Sequence, residues 1–224
     1  FQSIMDKTLR RNLGAHYTSE ANILKLIKPL FLDKLHAKFE KIKKNKKKLQ
    51  EFHQELSTLN FLDPACGSGN FLILSYRELR KLEFEILKLL HKGSVLDIET
   101  IVWCDVDQFH GIEYEEFPAQ IARVAMWLID HQMNMMISEY FGQYFARLPL
   151  KKSANIIHGN SLRIDWEEVI GKDKLSFILG NPPFIGKQLQ NKEQKEDMKA
   201  IFGKVQGAGV LDYVTAWYLK ASSY

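Results

Sequence analysis

The stretch DPACGSG, Asp63 to Gly69, constrains this chain more than any other. It lies between a short apolar run, Asn60–Asp63, and a long segment from Asn70 with apolar residues along one helical face. An apolar run that ends in a glycine-rich turn and opens a helix is the first unit of an open parallel sheet. Glycine lets backbone approach a ligand there, and ligands in such sheets bind beyond the carboxyl ends of the strands. Two phosphate-binding versions of the turn do not fit. The dinucleotide fingerprint wants glycine three residues after Gly69, where Leu72 stands, and no Gly-Lys-Ser/Thr follows as in a P-loop. On this stretch alone, a purely structural turn remains open.

The rest of the chain extends the pattern. Gln108–Tyr114 reads as a second core strand ending on acidic residues, and Phe117–Ile137 as a helix with proline in its first turn. Ala154–Leu162 reads as a third strand and Leu175–Phe184 as a fourth. Strands alternating with helices imply a mostly parallel sheet with helices on both faces, an α/β fold. Ile98–Cys104 reads as a further strand or as part of an excursion. Glu20–Leu59 is helical and precedes the sheet. Its lysine run, Lys41–Lys48, reads as a solvated helix face or an interhelical loop, with a phosphate-facing patch as the alternative. After Phe184 the chain turns polar and glycine-bearing, which reads as a mobile loop with one short helix. Leu211–Ser222 restores a helical pattern.

Composition narrows the class. The 224 residues are 46% hydrophobic and 26% charged, the balance of one globular domain of ordinary size. No apolar run approaches the roughly 20 residues that span a bilayer, so no membrane partner is expected. The net charge of +4 permits a nucleic-acid partner without demanding one. Cys66 and Cys104 have no partners at metal-ligand spacing, which suits a reduced, cytoplasmic protein. His16, His131 and His158 likewise show no metal-like spacing, and the methionines around His131 read as core packing. Phe1–Ser3 reads as the remnant of a cleavable tag, and the helical pattern still running at the end reads as a piece of a longer protein.

Two strand ends carry chemistry. Asn181 offers an amide oxygen and Pro182 a carbonyl, both held by the Pro182–Pro183 backbone, and Phe184 offers a flat face. Two fixed acceptors beside a ring describe a pocket for a planar base with an exocyclic amine. Glu113, ending the second strand, can accept from ribose hydroxyls. Taken singly, a proline-rich turn and a surface glutamate explain them as well.

In order along the chain, LDPACGSGNFL, GIEYEEFPAQIARVAMWL and ILGNPPF resemble motifs I, II–III and IV of the amino-methyltransferases that use S-adenosylmethionine. The order is that of the gamma class of DNA adenine-N6 methyltransferases. RNLGAHYTSEANILKLI resembles their motif X and GVLDYVTAWYLKAS their motif V. The wording is similar to the methylase part of type IIG/IIL-like restriction–modification proteins, which combine nuclease, methylase and target recognition in one chain. The resemblance runs from about Arg11 to the end. It implies a Rossmann-like class I methyltransferase fold with an N-terminal helical extension: a tag remnant at 1–3, a helical segment with motif X at 4–60, and a catalytic core at 61–224 truncated after motif V.

The resemblance also implies a site. Asp63, Pro64, Ala65, Cys66, Gly67 and Gly69 would hold the methionine part of S-adenosylmethionine, with Thr18 near its carboxylate and Tyr17 adjacent. Glu113 would take the ribose, and Tyr114 would flank the adenine. Asn160 and Ser161 stand where the family presents an aspartate and a bulky apolar residue. Asn160 can still accept a hydrogen bond, whereas the stacking role would pass to Leu162 or a motif V residue. Asn181, Pro182, Pro183 and Phe184 would act on the amine of an adenine flipped out of double-stranded DNA. Cys66 reads as a small residue under the cofactor rather than a nucleophile, and no metal is implied.

Alternatives remain at this stage. An NPP-aromatic turn also occurs in methylases of release-factor glutamine and ribosomal RNA guanine, although DPACGSG and GAHYTS favour DNA adenine. The chain could instead be a cofactor-sensing, DNA-docking module without turnover that licenses a nuclease elsewhere in its parent. The target-recognition region, expected after motif VIII, falls outside this chain. The chain is therefore expected to bind cofactor weakly or moderately and to methylate DNA poorly or not at all.

Overall fold

The computed structural model describes residues 18–92, 97–145, 154–203, 205 and 207–224. His16 and Tyr17 lie outside them. Helix α1, Glu20–Ile27, runs through a π-turn, Lys28–Leu32, into α2, Asp33–Ile42. Pro29 sits at the start of that turn. It has no N–H to close the α-helical ladder, and the chain widens there instead of breaking. Helix α3, Lys46–Leu56, is capped by the Asn45 side chain, which accepts from Lys48 N.

Four strands form one parallel sheet: β1 Phe61–Asp63, β2 Phe109–Glu113, β3 Asn155–His158 and β4 Phe177–Ile178. Their order is β3-β2-β1-β4. Helix α4, Asn70–His91, follows β1, and α5, Glu116–Phe141, follows β2. Helices α6, Lys192–Phe202, and α7, Thr215–Ser223, follow β4. Successive strand residues serve opposite faces. Phe61, Phe109, Ile156 and Leu179 join the core built with α1 to α5. Leu62 and Ile112 join the other, with Trp166, Met198, Phe202 and Trp217. Both faces are thus covered, as the alternating pattern implies. Phe61 stacks at 4.7 Å on Phe109 and at 5.4 Å on Phe177, tying the three strands together on one face.

Three stretches resolve what periodicity left open. Ile98–Cys104 is an excursion: a 3-10 turn at Ile98–Thr100, followed by chain whose Trp103 and Cys104 N–H groups both donate to Glu83 Oε1 at 2.8 Å. A side chain has taken donors that a strand partner would need. The lysine run is exposed from Lys43 to Lys48, and Lys46 is near enough to His91 to add to the burial and the His53 ring that depress that imidazole. It therefore sits by the last turn of α4, about 33 Å of helix from the glycine turn. The polar segment after Phe184 folds into a 3-10 turn and α6, which opens on a capping box between Asn191 and Gln194. None of the described helices is long and apolar enough to cross a membrane.

Candidate functional site

Strand order reverses between β1 and β4, so a crevice opens at their carboxyl ends. DPACGSG leaves one strand there and GNPPF the other. Asp63 ends β1 and is 1% exposed. Its Oδ1 accepts from Ala65 N at 3.0 Å, while its Oδ2 has no partner among the described residues. Burial pushes its carboxyl up to about 8; the Ala65 N–H opposes the shift and Glu113 adds to it.

The turn is fastened to β2. Gly67 and Gly69 adopt φ of +55° and +85°, which side chains resist. Gly67 N donates to Glu113 Oε2 at 2.8 Å, and Glu115 N to Glu113 Oε1 at 2.9 Å. Burial raises the Glu113 carboxyl against the pull of these two N–H groups. Cys66 N bonds to the Ile112 carbonyl at 3.0 Å, and a Cβ at Gly111 would meet Cys66 Sγ at 2.8 Å. The turn thus rests directly on the neighbouring strand. Burial, then Asp63 and Glu113, push the Cys66 thiol well up, which suits packing and not nucleophilic attack. The Pro64 carbonyl accepts from Trp217 Nε1 at 3.2 Å, and Ala65 packs against the second core.

The other lip is built from β4. Leu179 N bonds to the Leu62 carbonyl at 2.9 Å, which carries the pairing up to Gly180. Gly180 has φ +150°, and a Cβ there would lie 2.3 Å from Asp63 Oδ1. The two motif loops touch at this point. Gly180→Ala should force them apart and cost roughly 1–3 kcal/mol, as overpacking does. Urea denaturation checks the stability, and a wild-type midpoint would show that the lips can separate freely. Beyond Gly180, Asn181 Nδ2 donates to Thr18 Oγ1 at 3.1 Å, which leaves Oδ1 as the outward acceptor. Pro182 and Pro183 are half-buried, and Phe184 is 63% exposed.

At the far corner, beyond β2 and β3, Tyr114 is half-exposed. Asn160 follows β3; its Oδ1 accepts from Leu162 N at 3.0 Å and its Nδ2 donates to Asp197 Oδ2 at 2.9 Å. Ser161 points elsewhere. It is buried, and its Oγ accepts from Trp166 Nε1 at 3.1 Å, so its hydroxyl serves the core rather than the mouth. Leu162 is buried in the second core as well. Asp197 is the residue that sequence reasoning passed over, because KEQKEDMK reads as one solvated helix face. Among the described residues, no three His, Cys, Asp or Glu side chains group as a metal site.

The family model for the MmeI DNA-methyltransferase domain matches residues 39–224. The chain belongs to this family. It is 40% identical over 229 residues to DNA methyltransferase A of Bacillus subtilis (strain 168), covering all of this chain and 26% of that protein. It is 62% identical to the type IIL restriction–modification enzyme MmeI, whose structure in complex with DNA superposes with a TM-score of 0.96. That match covers all of this chain and 30% of MmeI. The chain spans under a third of either relative. Its parallel sheet and flanking helices are the Rossmann-like methyltransferase fold of the MmeI domain.

Proposed function

We propose that this chain transfers a methyl group from S-adenosylmethionine to the N6 amine of an adenine flipped out of double-stranded DNA, within a larger restriction–modification protein. The observation that carries the reading is the meeting of the two loops: Gly180 lies against Asp63, which puts the Asn181–Phe184 turn beside the DPACGSG turn at one crevice.

The residues fit the cofactor. Asp63 Oδ2 is buried and unpartnered, and suits a donor such as the methionine ammonium. The Glu113 oxygens accept from backbone N–H groups, and the carboxylate keeps acceptor capacity for a ribose hydroxyl. Bound S-adenosylmethionine would supply a methyl group on a sulfonium, open to in-line displacement by an amine. Asn181 Oδ1 and the Pro182 carbonyl would accept the two amine hydrogens and draw the nitrogen out of conjugation with its ring. Thr18, by accepting from Asn181 Nδ2, holds the amide in the orientation this needs. Phe184 would stack on the base. The work of these residues is positioning and electrostatics, with no strong base required.

Mass spectrometry for N6-methyladenine, after the parent protein acts on DNA, tests the reading, with RNA and protein in parallel. Methyl groups only on RNA or glutamine would reassign the substrate. Cofactor binding without transfer to any of them would favour the docking module.

Asp63 gives the site a pH signature. With its carboxyl at about 8, the group is largely protonated at neutral pH and must release its proton to face a cation. Affinity for S-adenosylmethionine should rise toward pH 8, approaching tenfold per unit at most, and then level off. In Asp63→Asn the slope should vanish. The same shift bears on the fold: Asp63 favours the folded state fully below its ordinary value of 3.8, and that contribution is lost as pH rises through about 8. Calorimetric titrations across this range check the sign, and an unchanged slope in Asp63→Asn would remove Asp63 from the cofactor site.

A further inference from the structure

Asp197 is a buried carboxylate that the methyl-transfer reading leaves unused. It lies on α6, 3% exposed, and accepts from three side chains. Asn160 Nδ2 and the Tyr213 hydroxyl reach its Oδ2 at 2.9 and 2.8 Å, and Arg163 Nε reaches its Oδ1 at 2.7 Å. Arg163 also meets Glu193 at 3.2 Å. Burial and the bond to Asp197 hold the Tyr213 hydroxyl above its ordinary value, so it stays a donor. Tyr114 feels the same charges: Glu193 first, then its own desolvation, raise its hydroxyl, and Asp197 contributes. One corner of the crevice therefore holds Tyr114, Asn160 and the acidic face of α6.

Resting on the S-adenosylmethionine reading, we propose that Asp197 is a positioning residue for the cofactor's adenine, setting which end of the Asn160 amide faces it. An asparagine amide has a donor end and an acceptor end, and a half-turn exchanges them. A carboxylate only accepts, so Nδ2 stays on Asp197. The Leu162 N–H only donates, so Oδ1 stays on Leu162. A flipped amide would set oxygen against carboxylate and NH2 against N–H. The orientation is thus enforced from both ends. Oδ1 keeps a second lone pair, and the pocket meets an acceptor as it would meet an aspartate there. An amine at purine C6 matches that acceptor, whereas a carbonyl oxygen repels it.

The test uses the parent protein and two ligands, S-adenosylhomocysteine and its deaminated analogue S-inosylhomocysteine, titrated calorimetrically. The unaltered protein should prefer the adenine compound by roughly tenfold or more, the worth of one hydrogen bond made against one refused. In Asp197→Asn the preference should shrink to within about threefold, since a neighbouring amide tolerates either Asn160 orientation and only the Leu162 N–H is left to favour one. Combining Asn160→Asp with Asp197→Asn should restore it, because a carboxylate at the first position presents only acceptors while the amide at the second donates from behind. A merely structural Asp197 would weaken both ligands alike, and the exchange would not rescue selectivity. Preference unchanged in Asp197→Asn, or absent in the exchanged pair, overturns the inference and leaves the cofactor reading standing. If Asp197→Asn fails to fold, Asp197→Ser takes its place with the same expectation, since a hydroxyl also tolerates either Asn160 orientation. Failure of the unaltered parent protein to bind either ligand overturns both readings.

Discussion

Asn181→Ala should abolish methyl transfer by the parent protein while leaving S-adenosylmethionine affinity within about threefold. The side chain is exposed, and its hydrogen bond runs to Thr18 Oγ1. Truncation at such a position costs the fold little, typically under about 0.5 kcal/mol. The expected damage is confined to the reacting amine. On the proposed mechanism, losing Oδ1 removes one of the amine's two acceptors and leaves the Pro182 carbonyl to hold the nitrogen alone. Loss of one preorganised polar contact at a reacting centre lowers rates by roughly 100- to 1000-fold. Loss of positioning adds to that. The measurements are methyl incorporation into DNA by the parent protein and calorimetric cofactor titration of the same variant. Normal methylation would show that Asn181 takes no part. Lost cofactor binding would move Asn181 to the cofactor side of the crevice.

The crevice was legible because its two lips are local. Strand, glycine turn and helix are contiguous around Asp63–Gly69, and the Asn181–Phe184 turn follows its strand at once. Neither needs a distant partner to be recognised. The parallel sheet followed from the alternation of strands and helices, and the expectation of helices on both faces held. What stayed hidden depends on contacts between remote positions. Thr18 meets Asn181 across 163 residues, and Asn160 meets Asp197 across 37. Asp197 looks like any helix-surface acid until α6 is packed down against β3's exit. Ser161 was assigned by position in a motif, and only the packing of Trp166 shows that its hydroxyl turns inward. Ile98–Cys104 carries strand-like residues, yet Glu83 captures its backbone donors, and nothing local announces that.

The same Glu83 belongs to a charge cluster hidden in helices that read as ordinary amphipathic segments, and its removal should have the largest effect on stability. Arg80 on α4 is fully buried. Its Nη1 donates to Asp130 Oδ1 at 2.9 Å and its Nη2 to Asn134 Oδ1 at 2.7 Å, both on α5. Its Nε lies 2.9 Å from Glu83 Oε2 as a charge pair without a well-directed hydrogen bond. Glu83 Oε1 meets His53 Nε2 of α3 at 2.9 Å as well as the two backbone donors of the excursion. One guanidinium thus joins the acids of α4 and α5, and through Glu83 the cluster reaches α3. Arg80→Met fills similar space but removes the buried cation that faces both Glu83 and Asp130. Breaking a buried pair from one side costs about 3–5 kcal/mol. In a chain of this size that lowers the thermal midpoint by roughly 10 °C. Burial opposes ionisation of Glu83, but His53 and Arg80 outweigh it and hold its carboxyl low. In the wild type this contribution is therefore present above the ordinary value of 4.5 and is lost as pH falls through the lower folded value. Without Arg80 one of the causes that hold the Glu83 carboxyl low is gone while His53 remains, so its ionised form is stabilised less and the variant's deficit should shrink on acidification from pH 7 to 5. Adding Glu83→Gln and Asp130→Asn to Arg80→Met should recover much of the loss at pH 7. Glutamine keeps an acceptor for the Trp103 and Cys104 N–H groups while removing a charge that has lost its guanidinium. Urea midpoints of the three proteins at both pH values check this, and a deficit that ignored pH would mean that lost packing, not charge, is what Arg80 supplies.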